Sequence, residues 1–274
     1  MRIPIHFKYG AKLRFIAVLS AVLCSVMLLR NVCAEYGEPG CNDIRIIAYS
    51  GIGTGERQLL AEQIEDDIIT LTNKGYTPLF ASQAAEILNN EEQFPEKAIV
   101  LTFDGGCSAY YSKLFPILKR YRFKAVITIN GKDSEYASNS ADDNVSFLRW
   151  SEIKEMDASG LAEFSNGAFE LDDAEKFKQK QGESYKEYRS RIISDIGQTQ
   201  NLFQQNCSFE PCVFTYPDGQ DSDNAAKFVK NLGFKAALKL KNKPVVSNGK
   251  NKADPYRLMR YERALYGNIT EILC

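Results

Sequence analysis

Hydrophobic positions along the chain follow two periods, and the two take turns. Arg45 to Tyr49 is a short, largely apolar run that predicts a strand. Past a glycine-rich turn, Leu60, Ile64, Ile68 and Leu71 recur at helical spacing and Lys74-Gly75 supplies the stop, which predicts an amphipathic helix over Gln58 to Asn73. A second helix follows over about Ser82 to Leu88, then a strand at Ala98 to Phe103, a helix near Ser108 to Tyr121 and a strand at Ala125 to Ile129. Residues 130–146 are rich in Asn, Asp and Ser with almost no large apolar group, the composition of an exposed loop. Beyond it the pattern predicts a turn and short helix over Leu148 to Asp157, a strand over Gly160 to Phe164 and a long polar helix over about Ser184 to Gln205. A strand at Val213 to Tyr216, a helix over Asp223 to Leu232 stopped by Gly233, and a strand at Phe234 to Leu240 complete it.

Strands alternating with helices predict a parallel sheet, either closed as a barrel or open and doubly wound. The segment Ala98-Ile-Val-Leu-Thr-Phe-Asp-Gly-Gly106 is apolar until it ends in an acid and two glycines. A buried strand of that kind delivers a carboxylate, Asp104, to the mouth of an α/β fold.

The N-terminus has the three parts of a secretory signal. Arg2, Lys8, Lys12 and Arg14 precede an apolar run from Phe15 to Leu29, and Val32-Cys33-Ala34 offers small residues before a cut after Ala34. As a helix that run would span roughly 22 Å against a hydrocarbon core of about 30 Å, which favours cleavage over anchoring. Residues 1–34 are therefore expected to be a signal peptide, with a membrane tether as the outcome if they stay attached as a signal anchor. Either way residues 35–274 form the working domain outside the cytoplasm, with no internal repeat and no linker. Removing the signal takes five basic residues and no acidic ones, leaving 29 Lys and Arg against 35 Asp and Glu and a net charge of −6. That balance excludes a nucleic-acid footprint, so no nucleic-acid partner is expected.

Five cysteines remain: Cys41, Cys107, Cys207, Cys212 and Cys274. Export permits disulfides, and Cys207 with Cys212 would close a short loop, whereas Cys41 and Cys274 sit near opposite ends of the domain and leave Cys107 over. Spacing does not fix the pairing, and reduced, buried thiols fit equally. The chain has one histidine, His6, which lies inside the signal segment.

Four stretches resemble, in order, motifs of the polysaccharide deacetylases, the NodB homology family. They run from Tyr76-Thr-Pro78 through Thr102-Phe-Asp-Gly-Gly106 and Trp150 with Ser159-Gly-Leu-Ala-Glu163 to Phe214-Thr-Tyr-Pro-Asp-Gly219. Asp254-Pro-Tyr-Arg-Leu-Met-Arg260 resembles the family's closing segment. The resemblance implies a distorted (β/α) barrel with its cleft at the C-terminal ends of the strands. It also implies a divalent metal such as zinc, held by one Asp and two His, that polarises an acetamide while a neighbouring Asp acts as general base.

This chain departs from that pattern where it matters. The family motif reads Thr-Phe-Asp-Asp-Gly; here Asp104 falls on the base and Gly105 on the metal-binding Asp. The two histidine positions fall on Gly167 and Asp172, and no late histidine is present to act as general acid. A hydrolytic zinc site wants three ligands, and glycine offers no ligand atom. No metal cofactor is therefore expected. Tyr216, Pro217, Asp218 and Gly219 fall on the family's sugar-lining loop, although Pro-Asp-Gly is also a strong turn sequence by itself.

The expected function is an exported, catalytically degenerate relative that binds an N-acetylated cell-surface or matrix polysaccharide. One alternative is an active de-N-acetylase with a rearranged metal site, in which Asp104, Cys107 and Asp172 share a cleft and Cys107 is activated by a helix N-terminus. Another is a structural module used for protein contacts, with partners that the sequence does not identify. Without metal, Asp104 is free to cap the helix near Ser108. Tyr110, Tyr111 and Phe169 are candidate sugar platforms or plain core residues. If only the ligands were lost, restoring Asp at 105 and His at 167 and 172 should rebuild a metal site, unless those glycines hold conformations that side chains cannot share.

Overall fold

A computed structural model describes residues 43–53, 59–142, 144–246 and 252–273. The first strand, β1 (Asp43–Tyr49), is followed by α1 (Ala61–Asn73), a short β2 (Thr77–Pro78), α2 (Ala81–Asn89) and β3 (Ala98–Phe103). A π-helical turn over Tyr110–Leu114 runs into α3 (Phe115–Tyr121), then come β4 (Ala125–Ile129), α4 (Gly131–Asn139), α5 (Trp150–Ala158) and β5 (Ala162–Asn166). The second half contains α6 (Ala174–Phe177), α7 (Tyr185–Cys207), β6 (Val213–Thr215), α8 (Asp223–Asn231), β7 (Ala236–Leu240), β8 (Val245–Val246), β9 (Leu258–Glu262) and α9 (Thr270–Leu273). Strands β1, β3, β4, β5, β6, β7 and β9 pair in parallel in that order, and β9 returns to β1. The result is a closed seven-stranded parallel barrel ringed by helices, which settles the choice between barrel and open sheet.

The all-buried reading of β3 follows from closure, because each of its residues faces either the barrel interior or the helical layer. Ile99, Leu101 and Phe103 pack outward with α1, α3 and α5. Ala98 and Val100 pack inward with Ile46, Val126, Val213, Ala236 and Leu258. Ala81, Ala84, Ala85 and Leu88 of α2 join that interior cluster, so α2 plugs the base of the barrel. Glu163 faces inward from β5 and accepts hydrogen bonds from the Ala81 and Ser82 amides at 2.9 and 3.2 Å, which ties the plug to the wall.

Toward the mouth the inward positions turn polar. Thr102, Thr128, Ser165, Thr215 and Arg260, one from each of five strands, are all buried there. Thr128, Ser165 and Thr215 bond one another through their hydroxyls at 2.8–3.0 Å. Buried hydroxyls need such partners, and a closed ring of strands supplies them.

Two expectations are corrected. Residues 131–139, expected as exposed loop, form α4: Asn130 caps it by accepting from the Lys132 and Asp133 amides, and its buried face consists of Gly131, Ser134 and Ala137. A face of small side chains leaves no apolar periodicity to read. The strand expected at Gly160 to Phe164 ends two residues later, because Ser165 and Asn166 are buried polar residues whose partners lie far along the chain. Of the two states left open for Cys207 and Cys212, the reduced one is observed: both are free thiols. Cys41, Cys274 and the N-terminal signal segment lie outside the described residues. Among the described residues no helix is long and apolar enough to cross a membrane.

Candidate functional site

A cleft of about 540 Å³ opens at the C-terminal ends of the strands. Asp104 and Gly105 reach it from the end of β3, Thr128, Asn130 and Asp133 from β4 and the start of α4, and Gly167 and Asp172 from the loop after β5. Thr215 and Tyr216 to Gly219 line it from β6, and Arg260 and Glu262 from β9. Every residue singled out as a family site position thus faces this cavity.

Asp104 is held from two sides. Its Oδ1 accepts from the Arg260 guanidinium at 2.7 Å and from the Thr128 hydroxyl at 3.0 Å. The same Arg260 nitrogen donates to Thr102 Oγ1 at 3.1 Å. Arg260 is 1% exposed and its Nε is buried without an acceptor among the described residues. The carboxylate therefore does not cap the helix near Ser108. It neutralises a buried guanidinium, and with its side chain 34% exposed it still lines the cleft.

The two glycines differ. Gly105 has φ +90°, and a side chain there would meet open space but sit in a strained backbone conformation. At Gly167 an added Cβ would lie 2.7 Å from Thr128 Cγ2 and 3.1 Å from the Ile129 carbonyl oxygen. A side chain at 167 would have to displace the Thr128 methyl and crowd the Ile129 carbonyl, which weighs against rebuilding a metal site by restoring its ligands.

The loop that carries positions 167 to 172 is built from α7. Asp195 accepts from the backbone amides of Phe169, Glu170 and Leu171 at 2.7, 2.9 and 3.4 Å. Asn166 accepts from Ala168 N at 2.8 Å, and Thr199 donates to Ala168 O at 2.9 Å, which holds Ala168 at φ +73°. Asp172 pairs with Lys176 Nζ at 2.6 Å. Asp218, at φ +50°, accepts from Ala174 N at 2.9 Å and so links the Tyr216 to Gly219 loop to the Asp172 loop. Gly219 is obligatory in the built loop, since a Cβ would fall 2.3 Å from Leu240 Cβ.

Cys107 does not join Asp104 and Asp172. Its backbone bridges to Phe147 and its side chain packs against the outer core. Tyr110 is buried and donates to the Asp104 carbonyl at 2.5 Å, and Tyr111 donates to Glu155 at 2.6 Å while stacking on Phe115. None of the three aromatics proposed as sugar platforms lines the cleft; Phe147 and Tyr216 do. The Tyr216 hydroxyl donates to Tyr256 O at 3.0 Å, and burial pushes its pKa above the usual tyrosine value.

Asp133 and Glu262 escape sequence reading, as do the functions of Thr128 and Arg260. The available signal is a polar residue at an inward position of an otherwise apolar strand, as in Ala125-Val-Ile-Thr-Ile129. Burial first, and then the charge of Asp172, raises the Asp133 carboxyl above the ordinary aspartate value.

The residues present do not fit a divalent metal of the family kind. Gly105 and Gly167 contribute no donor, Oδ1 of Asp104 is committed to Arg260, and Asp172 is paired with Lys176. No group of three His, Cys, Asp or Glu side chains converges among the described residues. What the cleft offers is a set of hydrogen-bonding groups fixed on rigid strand ends.

Comparison with known proteins places this geometry. The family model for polysaccharide deacetylase matches residues 91–237, more than half of the chain. Poly-beta-1,6-N-acetyl-D-glucosamine N-deacetylase of Escherichia coli K12 is 25% identical over 198 residues, covering 62% of this chain and 29% of the relative. The enzyme of the same name from Staphylococcus aureus MSSA476 is 26% identical over 157 residues, covering 57% of this chain and 52% of that protein. The chain thus spans about half or less of the length of these relatives. A de-N-acetylase from Aggregatibacter actinomycetemcomitans superposes with a TM-score of 0.70 at 22% identity over 85% of this chain and 99% of that one. A Streptococcus pyogenes deacetylase in complex with acetate gives 0.69 at 17% identity, over 84% and 96%. These likenesses confirm the barrel expected from the motifs, and the extent of the family match leads to one conclusion: the chain belongs to the polysaccharide deacetylase family.

Proposed function

We propose that the protein is an exported, catalytically degenerate polysaccharide deacetylase relative that binds an N-acetylated cell-surface or matrix glycan in the barrel-mouth cleft. The donor set carries this reading. Amide hydrolysis needs an electrophile activator as well as a base, and two of the three family ligand positions are glycines, one of them walled in by Thr128 and Ile129. The base position, Asp104, serves as counter-ion to a buried arginine. The cleft nevertheless keeps its volume and its polar lining, which supports a binding role, and relatives named for acting on poly-N-acetylglucosamine support the sugar class. The secretory pattern of residues 1–34 supports export.

The test measures oligosaccharide binding and acetate release on the same preparation, with N-acetylglucosamine oligomers and with zinc added or withheld. Binding without acetate release is expected. Metal-dependent acetate release that disappears in Asp104→Asn would replace this reading with the active hydrolase. Absence of both would leave the protein-contact module.

A further inference from the structure

Phe147 is a large, half-buried apolar residue that lines the cleft, yet among the described residues it joins none of the apolar clusters of the barrel interior and the helical layer. Nor does its ring pair with another aromatic ring there. Tyr216, the other aromatic at the cleft, is 1% exposed and packs on Phe177 and Phe214 with ring centroids 6.3 and 5.3 Å apart, so its ring is already part of the core. The backbone fixes Phe147 where it is. Leu148 N donates to Gly106 O at 2.8 Å and Ser108 N to Ser146 O at 2.9 Å, an antiparallel bridge that lays residues 146–148 against the loop after β3. Arg149 secures the same segment by donating to the Ser140 and Asp142 carbonyls at 3.0 and 2.6 Å. Gly105, two residues before the bridged Cys107, has open space where a Cβ would begin, and its missing side chain leaves room in the cleft.

The rest of the lining is mostly polar, with Asp104, Asp133, Asn130 and Thr215 among it. A purely apolar ligand would strip water from those groups without replacing its hydrogen bonds. A purely polar one would leave the phenyl ring uncovered. A pyranose ring satisfies both, because the C–H groups of one face cover an aromatic ring while the hydroxyls at its edge exchange hydrogen bonds with the polar wall. We propose that Phe147 is the platform on which a sugar ring of the bound glycan lies. This rests on the glycan-binding reading above and names the side chain that receives the ring.

The experiment measures binding of a short N-acetylglucosamine oligomer, in buffer containing EDTA, to the wild type and to Phe147→Ala, Phe147→Leu and Phe147→Trp, each checked for folding by its melting midpoint. Alanine and leucine should weaken binding about tenfold, the loss of one ring contact, while tryptophan should keep it within about threefold. Phe147→Trp should also change its emission on adding the oligomer by more than the wild type does, whose single tryptophan, Trp150, is 4% exposed. Tyr136→Ala and Tyr266→Ala remove exposed rings outside the cleft lining and should bind as the wild type does. Phe147→Leu keeps apolar bulk and carries the test if the alanine variant does not fold. Wild-type affinity in a folded Phe147→Leu or Phe147→Ala overturns the platform while glycan binding stands. Weakened binding in all three variants, with no extra emission change in Phe147→Trp, means that the residue only shapes its loop and overturns the platform too. A loss in Tyr136→Ala or Tyr266→Ala with none at Phe147 places the ring contact outside the cleft. Failure of the wild type to bind overturns both readings.

Discussion

Gly167 and Arg260 decide what the cleft can do, and both act through space rather than through reactivity. At Gly167 the neighbouring Thr128 methyl and Ile129 carbonyl occupy the volume a side chain would need. Gly167→Ala should therefore lower stability by about 1–3 kcal/mol, with Gly167→His at least as costly, and neither should acquire zinc. Urea denaturation followed by circular dichroism reads the first result, and a stable, zinc-binding Gly167→His would contradict it. Arg260 is buried with Asp104 as its counter-charge. Asp104→Asn leaves that guanidinium without compensation and should cost about 1–2 kcal/mol, less than the ~3–5 of a fully enclosed pair because Asp104 is a third exposed. The same melts decide it, and an unaltered midpoint would mean the pair is not formed. Sequence reading reached Asp104 through its place after an apolar strand. It could not reach the role of Arg260, because an arginine at the end of a strand looks solvated until the barrel closes around it.

At the scale of elements, the long helix α7 and the plug helix α2 do the positioning. Asp195 of α7 gathers three successive amides of the loop that carries residues 167 to 172. Asp195→Ala should free those amides, at a cost of about 1–3 kcal/mol and with faster hydrogen exchange confined to residues 169–171. Exchange unchanged there would contradict the tether. At the base, burial holds the Glu163 carboxyl above the ordinary glutamate value, against the pull of the Ser82 and Ala81 amides. A raised folded-state value means that the folded protein grips this proton more tightly than the unfolded chain. Its contribution is fully present below the unfolded value, near 4.3 by the ordinary scale, and is lost as pH rises through the folded value. The stability of wild type relative to Glu163→Gln should thus fall as pH rises above the ordinary glutamate value, where a flat difference would contradict the assignment. Helices and strands with large apolar faces, α1, α2, β3, β4 and α8, were legible from their periods alone. The helix α4 was not, since its buried face is Gly131, Ser134 and Ala137, and Asp133 was lost to view with it.

For the molecule as a whole, alternating periods fixed an α/β fold but not its closure, which depends on β9 returning to β1. The short β9, Leu-Met-Arg-Tyr-Glu, carries too few apolar positions to show a strand period of its own and is marked in the sequence only by its resemblance to the family's closing segment. The ordered motifs made the barrel and the position of the cleft legible. What remained invisible was the cleft's interior, because its hydroxyl ring and its buried guanidinium come from strands far apart in sequence. The central claim is that this barrel has given up its metal centre while keeping its cleft. Elemental analysis of the purified, tag-free protein, prepared without chelators, tests it most directly. With too few donors converging, the protein should hold no stoichiometric zinc, cobalt or nickel. One tightly bound metal ion per chain, lost on Asp172→Ala, would contradict the account.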